Sequence, residues 1–246
     1  MLRKSCVFGD YGIYIKCKEL HETEKPMKPK TKGRLLVRIA KNIVNSGMIQ
    51  GILLTDVVFP NEKTAMFNLK IKDTNENPET KKKPTYIISC TAFDKDLVNI
   101  LKGVVAGQLL FVRYHLTHSK SVDKKTGVTN FYDNRIVDEI IPGEVLEGKQ
   151  QVLIPYINTG VCQGEFQEVF INKDDPTIAY VKMRVTHKGA GGRNFISILD
   201  FTAQGSVIKY ISAYYETGDS ICVIYKIETT KRAGKNKVNY VIQTLF

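Results

Sequence analysis

The stretch Asn-Ser-Gly-Met-Ile-Gln-Gly at residues 45–51 returns as Asn-Thr-Gly-Val-Cys-Gln-Gly at residues 158–164. The shared spacing, Asn-x-Gly-x-x-Gln-Gly, recurs 113 residues later. Two further likenesses follow in the same order. Ile-Ser-x-x-x-Phe stands at 88–93 and again at 196–201, ahead of a helical stretch each time. Gly107 and Gly218 then open a β-like run that leads to a lysine-rich turn. Three anchors in one order mark a duplicated domain, so whatever fold the first half adopts, the second must adopt too.

Each half reads as short runs of Val, Ile, Tyr and Phe between Gly, Pro, Asn and Asp. In the first half the spacing predicts strands over 47–59, 65–73 and 85–93. A helix over 94–104 has Asp94 as its N-cap, and strands over 107–119 and 130–141 complete the unit. In the second half strands fall at 160–171, 177–187 and 194–201, a helix at 203–216, and strands at 218–229 and 237–246. Three strands, a helix and two strands joined by a long basic hairpin describe the OB-fold, a five-stranded Greek-key barrel. The fold class expected is therefore all-β with one helix per domain, in two tandem barrels. The domain boundaries are an N-terminal extension with a basic arm (1–46), a first barrel (47–141), a linker (142–157) and a second barrel (158–246).

Net charge is +11 with a pI near 9.3, an excess that points to a polyanionic partner. No apolar run reaches the length of about 18 residues that crosses a bilayer, and the N-terminus lacks the core of a signal peptide. The five cysteines, at 6, 17, 90, 162 and 222, are odd in number, and no CxxC pair occurs. That usage fits a reducing, cytoplasmic setting and leaves no zinc-ligand spacing.

OB-folds bind oligonucleotides or oligosaccharides on the face of strands two and three and on the loops joining strands one to two and four to five. Alternation along strand two turns Lys70 and Lys72 outward in the first copy, and Lys182 and Arg184 in the second. The hairpin tips carry Lys120, Lys124 and Lys125, and Lys231, Arg232, Lys235 and Lys237. Cations so placed follow a phosphate backbone without reading sequence. Base-stacking candidates are Tyr86, Phe93, Phe111, Phe131 and Tyr132, with Phe195, Phe201, Tyr225 and Tyr240 in the second copy. Parity turns Tyr114 inward, and Phe111, Arg113 and His115 outward. Lys188 and Arg193 flank a glycine-rich loop suited to touching phosphate.

The run YIISCTAFDKDLVNILKGVVAGQLLFVRYHL at 86–116 resembles the bacterial single-stranded DNA-binding proteins in their third strand, helix and fourth strand. TNFYDNRIVDEI at 129–140 resembles their last barrel strand. The likeness is clear over 47–140 and fainter over 159–245. It implies an OB-fold, a single-stranded DNA partner and a base-stacking role for Phe93. Two domains in one chain, and no acidic tail before Phe246, depart from that family's pattern and suggest a bacteriophage or mobile-element protein.

Catalysis finds little support. Asp94 and Asp96 suit a helix cap better than a metal, His115 and His118 point to opposite faces of a strand, and no phosphate-cradling Gly-x-x-x-x-Gly-Lys motif occurs. The expectation is a cofactor-free, sequence-tolerant binder of single-stranded DNA in replication or recombination. Its partners are the DNA and replication or recombination proteins, and two paired chains would present four barrels. A structural adaptor of a nucleoprotein complex and an RNA-binding protein are the alternatives.

Overall fold

Alternating apolar residues need an enclosed face, and each half of the chain meets that need by closing a sheet on itself. The computed structural model describes residues 44–73, 76, 81–123, 126–148, 156–188, 194–232 and 235–246. These described residues form one compact unit. The first half contributes β1 (Asn45–Leu53), β2 (Val58–Asn61), β3 (Thr64–Lys72), β4 (Thr85–Ala92), α1 (Lys95–Leu101), β5 (Gln108–Val122) and β6 (Thr129–Val145). The second contributes β7 (Ile157–Ile171), β8 (Ile178–Lys188), β9 (Asn194–Gln204), α2 (Ser206–Tyr214), β10 (Ser220–Arg232) and β11 (Lys235–Leu245). The strand expected over 47–59 is split: it ends at Leu53, and Val58 and Phe59 belong to the short β2, which pairs with the edge of β3.

Pairings β1–β3, β3–β4, parallel β4–β6, β6–β5 and β5–β1 return to their starting strand, a closed five-stranded barrel. The second barrel closes identically through β7–β8, β8–β9, parallel β9–β11, β11–β10 and β10–β7. This is the OB-fold, twice. Inside lie fully buried Leu69, Ile88, Val112 and Leu116 in one barrel, and Met183, Leu199, Val223 and Ile227 in the other. Val98 and Leu101 of α1, and Ile208 and Ile211 of α2, add to those cores. Asp94 caps α1 as expected, its carboxylate accepting from the amides of Asp96 and Leu97. Cys90 and Cys162 are buried and serve as small apolar side chains; burial pushes the Cys90 thiol up to about 12.

The repeated phrase is the seam. β1 and β7 run antiparallel, and their register sets Gly47 directly opposite Gly160. The two are the same residue of the motif, so a pseudo-twofold axis passes between them. A Cβ on Gly47 would lie 2.2 Å from the ring of Tyr114, and one on Gly160 would lie 2.2 Å from the ring of Tyr225. Only glycine admits the two buried rings here. The phenol hydroxyls bear on each other's ionisation, and burial drives both above the ordinary tyrosine range. Neither makes a hydrogen bond of ordinary geometry among the described residues.

The rest of the motif is equally structural. Asn45 donates to the Leu116 carbonyl (2.8 Å) and accepts from its amide (3.0 Å), completing β5 where β1 begins. Asn158 does the same for Ile227, at 2.7 and 2.9 Å. Gly51 and Gly164 mark where the strand changes partner. β1 pairs with β7 up to Gln50 and with β3 from Ile52, while β7 pairs with β1 up to Cys162 and with β8 from Glu165. A Cβ there would come within 2.9 Å of the Lys70 carbonyl or 2.7 Å of the Arg184 carbonyl.

One anchor is corrected by the strand register. Ala65 pairs with Ala92, and Ala179 with Ala203, so Thr91-Ala92 matches Thr202-Ala203. The counterparts of Ile88, Ser89 and Phe93 are thus Leu199, Asp200 and Gln204. The Ile-Ser-x-x-x-Phe likeness is a coincidence out of register by three residues. Gly107 and Gly218 hold, with φ of +88° and +97° before β5 and β10.

Gly160→Ala is expected to lower stability by about 1–3 kcal/mol through the clash with Tyr225, read from the urea midpoint. An unchanged midpoint would show that the ring is not held against the glycine.

Candidate nucleic-acid interface

On the first barrel the outward face of β3 and β4 carries Asn68, Lys70 and Lys72, with Asn68 opposite Ser89. The Ser89 hydroxyl donates to the Asn68 side-chain oxygen at 2.6 Å. Phe93, between β4 and α1, is 55% exposed; Tyr132 on β6 and Met66 on β3 are exposed as well. Phe111 is half-buried, and Lys120 is exposed near the end of β5. Arg113 points out as expected, and its guanidinium meets Glu139 at 3.0 Å.

The second barrel has diverged on the same face. Lys182, Arg184 and Thr186 take the places of Asn68, Lys70 and Lys72, as the matched pairing of β3 with β4 and β8 with β9 shows. Glu168 binds the Lys182 ammonium at 2.6 Å and holds its pKa above the usual lysine value, while Glu165 lies 3.8 Å from Arg184. The Lys182 ammonium also sits over the Phe170 ring at 4.9 Å, and that of Lys237 over Tyr180 at 5.1 Å. These groups line a groove of about 370 Å³ with Asp200, Thr202, Asn239 and, from the first barrel, Asp133. Burial raises the Asp200 pKa, against the pull of Lys182.

Four rings read from sequence as stacking platforms, Tyr86, Phe201, Tyr225 and Tyr240, are placed in the core instead. Phe201 and Tyr240 are buried against Tyr225, with centroids 5.3 and 5.6 Å from it. Tyr86 is only 7% exposed, and its hydroxyl donates to Asp73 at 3.0 Å. The inward parity of their strands explains all four, since Ile88 and Cys90 share it with Tyr86, Leu199 with Phe201, Val223 and Ile227 with Tyr225, and Ile242 with Tyr240. Phe195 remains outside, stacked on His187 at 5.9 Å. Lys231 and Arg232 end β10 and Lys235 opens β11. Lys124, Lys125 and Arg193 lie outside the described residues, as do the N-terminal arm and the side chains of Phe131 and Lys188. Sequence reasoning missed Phe170, Tyr180, Asp200 and Asn239. Tyr180 shares its parity with Lys182 and Arg184, a signal the alternation already carried.

The two faces are joined by a polar seam. Arg135 is buried; its Nε donates to the Ser89 carbonyl and its Nη1 to the Tyr240 hydroxyl, at 2.5 and 2.8 Å. On one side of the axis Lys226 reaches across to Asp73 at 3.1 Å. The positions equivalent to Lys226 and Asp73 on the other side are His115 and His187, with ring centroids 5.9 Å apart. His115 pairs with Asp138 at 2.8 Å.

No family model and no curated protein matches the sequence. Among solved structures, the wild-type single-stranded DNA binding protein of Thermus aquaticus superposes with a TM-score of 0.56 at 14% identity, over 82% of this chain and 92% of that one. A deletion mutant of the same protein gives a TM-score of 0.59 at 15% identity, over 82% and 93%. Neither barrel alone makes up so large a share, so the likeness runs through both.

Burial and the neighbouring His115 lower the His187 pKa, so the unfolded chain binds the extra proton first as pH falls. Stability is therefore expected to decline as pH drops below the free histidine value of about 6.5. His187→Phe should flatten that slope between pH 7 and pH 5 in thermal melts; an unchanged slope would contradict the assignment. Over both barrels, this chain shares its fold with the Thermus aquaticus protein.

Proposed function

We propose that the chain is a non-enzymatic, sequence-tolerant binder of single-stranded DNA, acting in the replication or recombination of a bacteriophage or mobile element. The observation that carries this reading is the outward face of the first barrel. Lys70 and Lys72 face outward on β3 toward one end of the β3–β4 pair, Phe93 is exposed just past its other end, and Tyr132 is exposed on β6. Lysines neutralise phosphates while the rings stack on bases, and neither contact asks which base is present. The net charge of +11 agrees with a polyanion.

Pairing of two chains is the second element of the proposal. Strands β6-β5-β1-β7-β10-β11 form one continuous antiparallel sheet across both barrels. Met48, Ile141 and Val145 stand exposed on its strands, an apolar surface suited to a second copy.

Fluorescence anisotropy with a labelled thymidine 20-mer tests the reading, with a uridine 20-mer and a duplex as competitors. Tight binding is expected to the thymidine strand, with log affinity falling by about 0.7 per phosphate contact for each unit of log salt. Phe93→Ala should weaken binding by about 1–3 kcal/mol and leave the melting temperature unchanged, because the ring is exposed. Salt-independent binding, or duplex preferred to single strand, would overturn the proposal.

A further inference from the structure

The two barrels supply an internal comparison. The groove of the second is built from Phe170, Tyr180, Lys182, Asp200 and Lys237. Strand register gives the matching positions of the first barrel as Val58, Met66, Asn68, Ser89 and Tyr132. Around these changes the frame is constant. Asn239 donates to Thr230 (3.2 Å) as its equivalent Asn134 donates to Ser119 (2.9 Å), and Thr202 answers to Thr91. A neutral serine has thus become a carboxylate, while two aliphatic positions have become aromatic and carry lysines above their rings.

A carboxylate repels phosphates, so its presence in this groove is not explained by attraction to a DNA backbone. Lys182, opposite Asp200 across β8 and β9, and Lys237 attract the carboxylate, but the Lys182 ammonium is hydrogen-bonded to Glu168 and no described residue donates a hydrogen bond to Asp200. The edge of a base can donate to it. Lys182 is held by Glu168, but the exposed Lys237 over Tyr180 is held by a cation–π contact worth only about 0.5–1 kcal/mol. A base displaces the ammonium from the ring, and the freed lysine turns to the adjoining phosphate. A base stacked on Phe170 or Tyr180 turns its Watson–Crick edge toward the groove floor where Asp200 stands. Two parallel donors satisfy a carboxylate best. Guanine offers them side by side, at N1–H and the exocyclic amino group. Cytosine and adenine offer only the amino group there. Thymine offers one N–H between two carbonyls that repel the carboxylate.

We infer that the second barrel holds a guanine-selective base subsite, with Asp200 as the specificity-determining residue, while the first barrel is base-tolerant. The inference rests on the single-stranded DNA reading and adds a base preference to it. Anisotropy with the full chain compares a thymidine 20-mer, an alternating thymidine–deoxyguanosine 20-mer, and the same alternating strand with deoxyinosine, which lacks the exocyclic amino group. The guanine strand should bind about 10-fold tighter than thymidine, with inosine between them. In Asp200→Ser, which installs the residue found at the equivalent place in the first barrel, the guanine-to-thymidine ratio should fall below about 2-fold. Loss of a negative charge should meanwhile tighten thymidine binding. Equal affinity of the unaltered chain for guanine and thymidine strands overturns the inference, and so does a ratio that survives Asp200→Ser. Thymidine bound without preference refutes the subsite alone; neither strand bound refutes the single-stranded DNA reading as well.

Discussion

Two tyrosine rings lying against two glycines hold the rest of this structure in place. Tyr114 and Tyr225 each occupy the space a Cβ on Gly47 or Gly160 would need. That close approach lets β1 and β7 pair while each remains the first strand of its own barrel. Because the paired glycines are equivalent, the contact generates a pseudo-twofold axis, and every other element takes its place around it. The asparagine before each glycine and the Gln-Gly after it complete neighbouring ladders or permit the change of partner. A phrase that in sequence marks the start of each duplicated domain is in the structure a joint between them.

The axis makes departures from symmetry informative. Arg135 and Tyr240 occupy equivalent positions on β6 and β11, yet one is a cation and the other a phenol, and they bond to each other across the seam. Lys226 with Asp73 faces His115 with His187 in the same way. Each departure strengthens or tunes the joint without altering the barrels. The outward faces differ more. The first presents outward lysines on β3, with an exposed phenylalanine past the end of β4 and an exposed tyrosine on β6. The second ties Lys182 and Arg184 to glutamates and adds Asp200. Screened ion pairs of that kind contribute little to stability, so their effect is on what the groove can hold.

Much of the fold was legible because strand alternation, the Asp94 cap and the repeated glycines are local signals with local causes. The site was less so. Parity alone turns Lys70 outward, whereas Phe93 stands at a strand-to-helix junction where parity does not decide and its expected stacking role came from the family likeness. Phe201 was misplaced because the Ile-Ser-x-x-x-Phe likeness matched it with Phe93, a register that the Ala179–Ala203 pairing denies. A shift of three residues reverses the parity of a strand, turning an expected outward ring into core. The ion pairs of the second barrel join residues on neighbouring strands, and no linear pattern announces which carboxylate will meet which lysine.

The central claim is that the β1–β7 joint makes the two barrels one cooperative body. Calorimetric unfolding of the intact chain tests it most directly. A single transition, with calorimetric and van't Hoff enthalpies that agree, is the result this account predicts. Two separate transitions, one for each barrel, would contradict it.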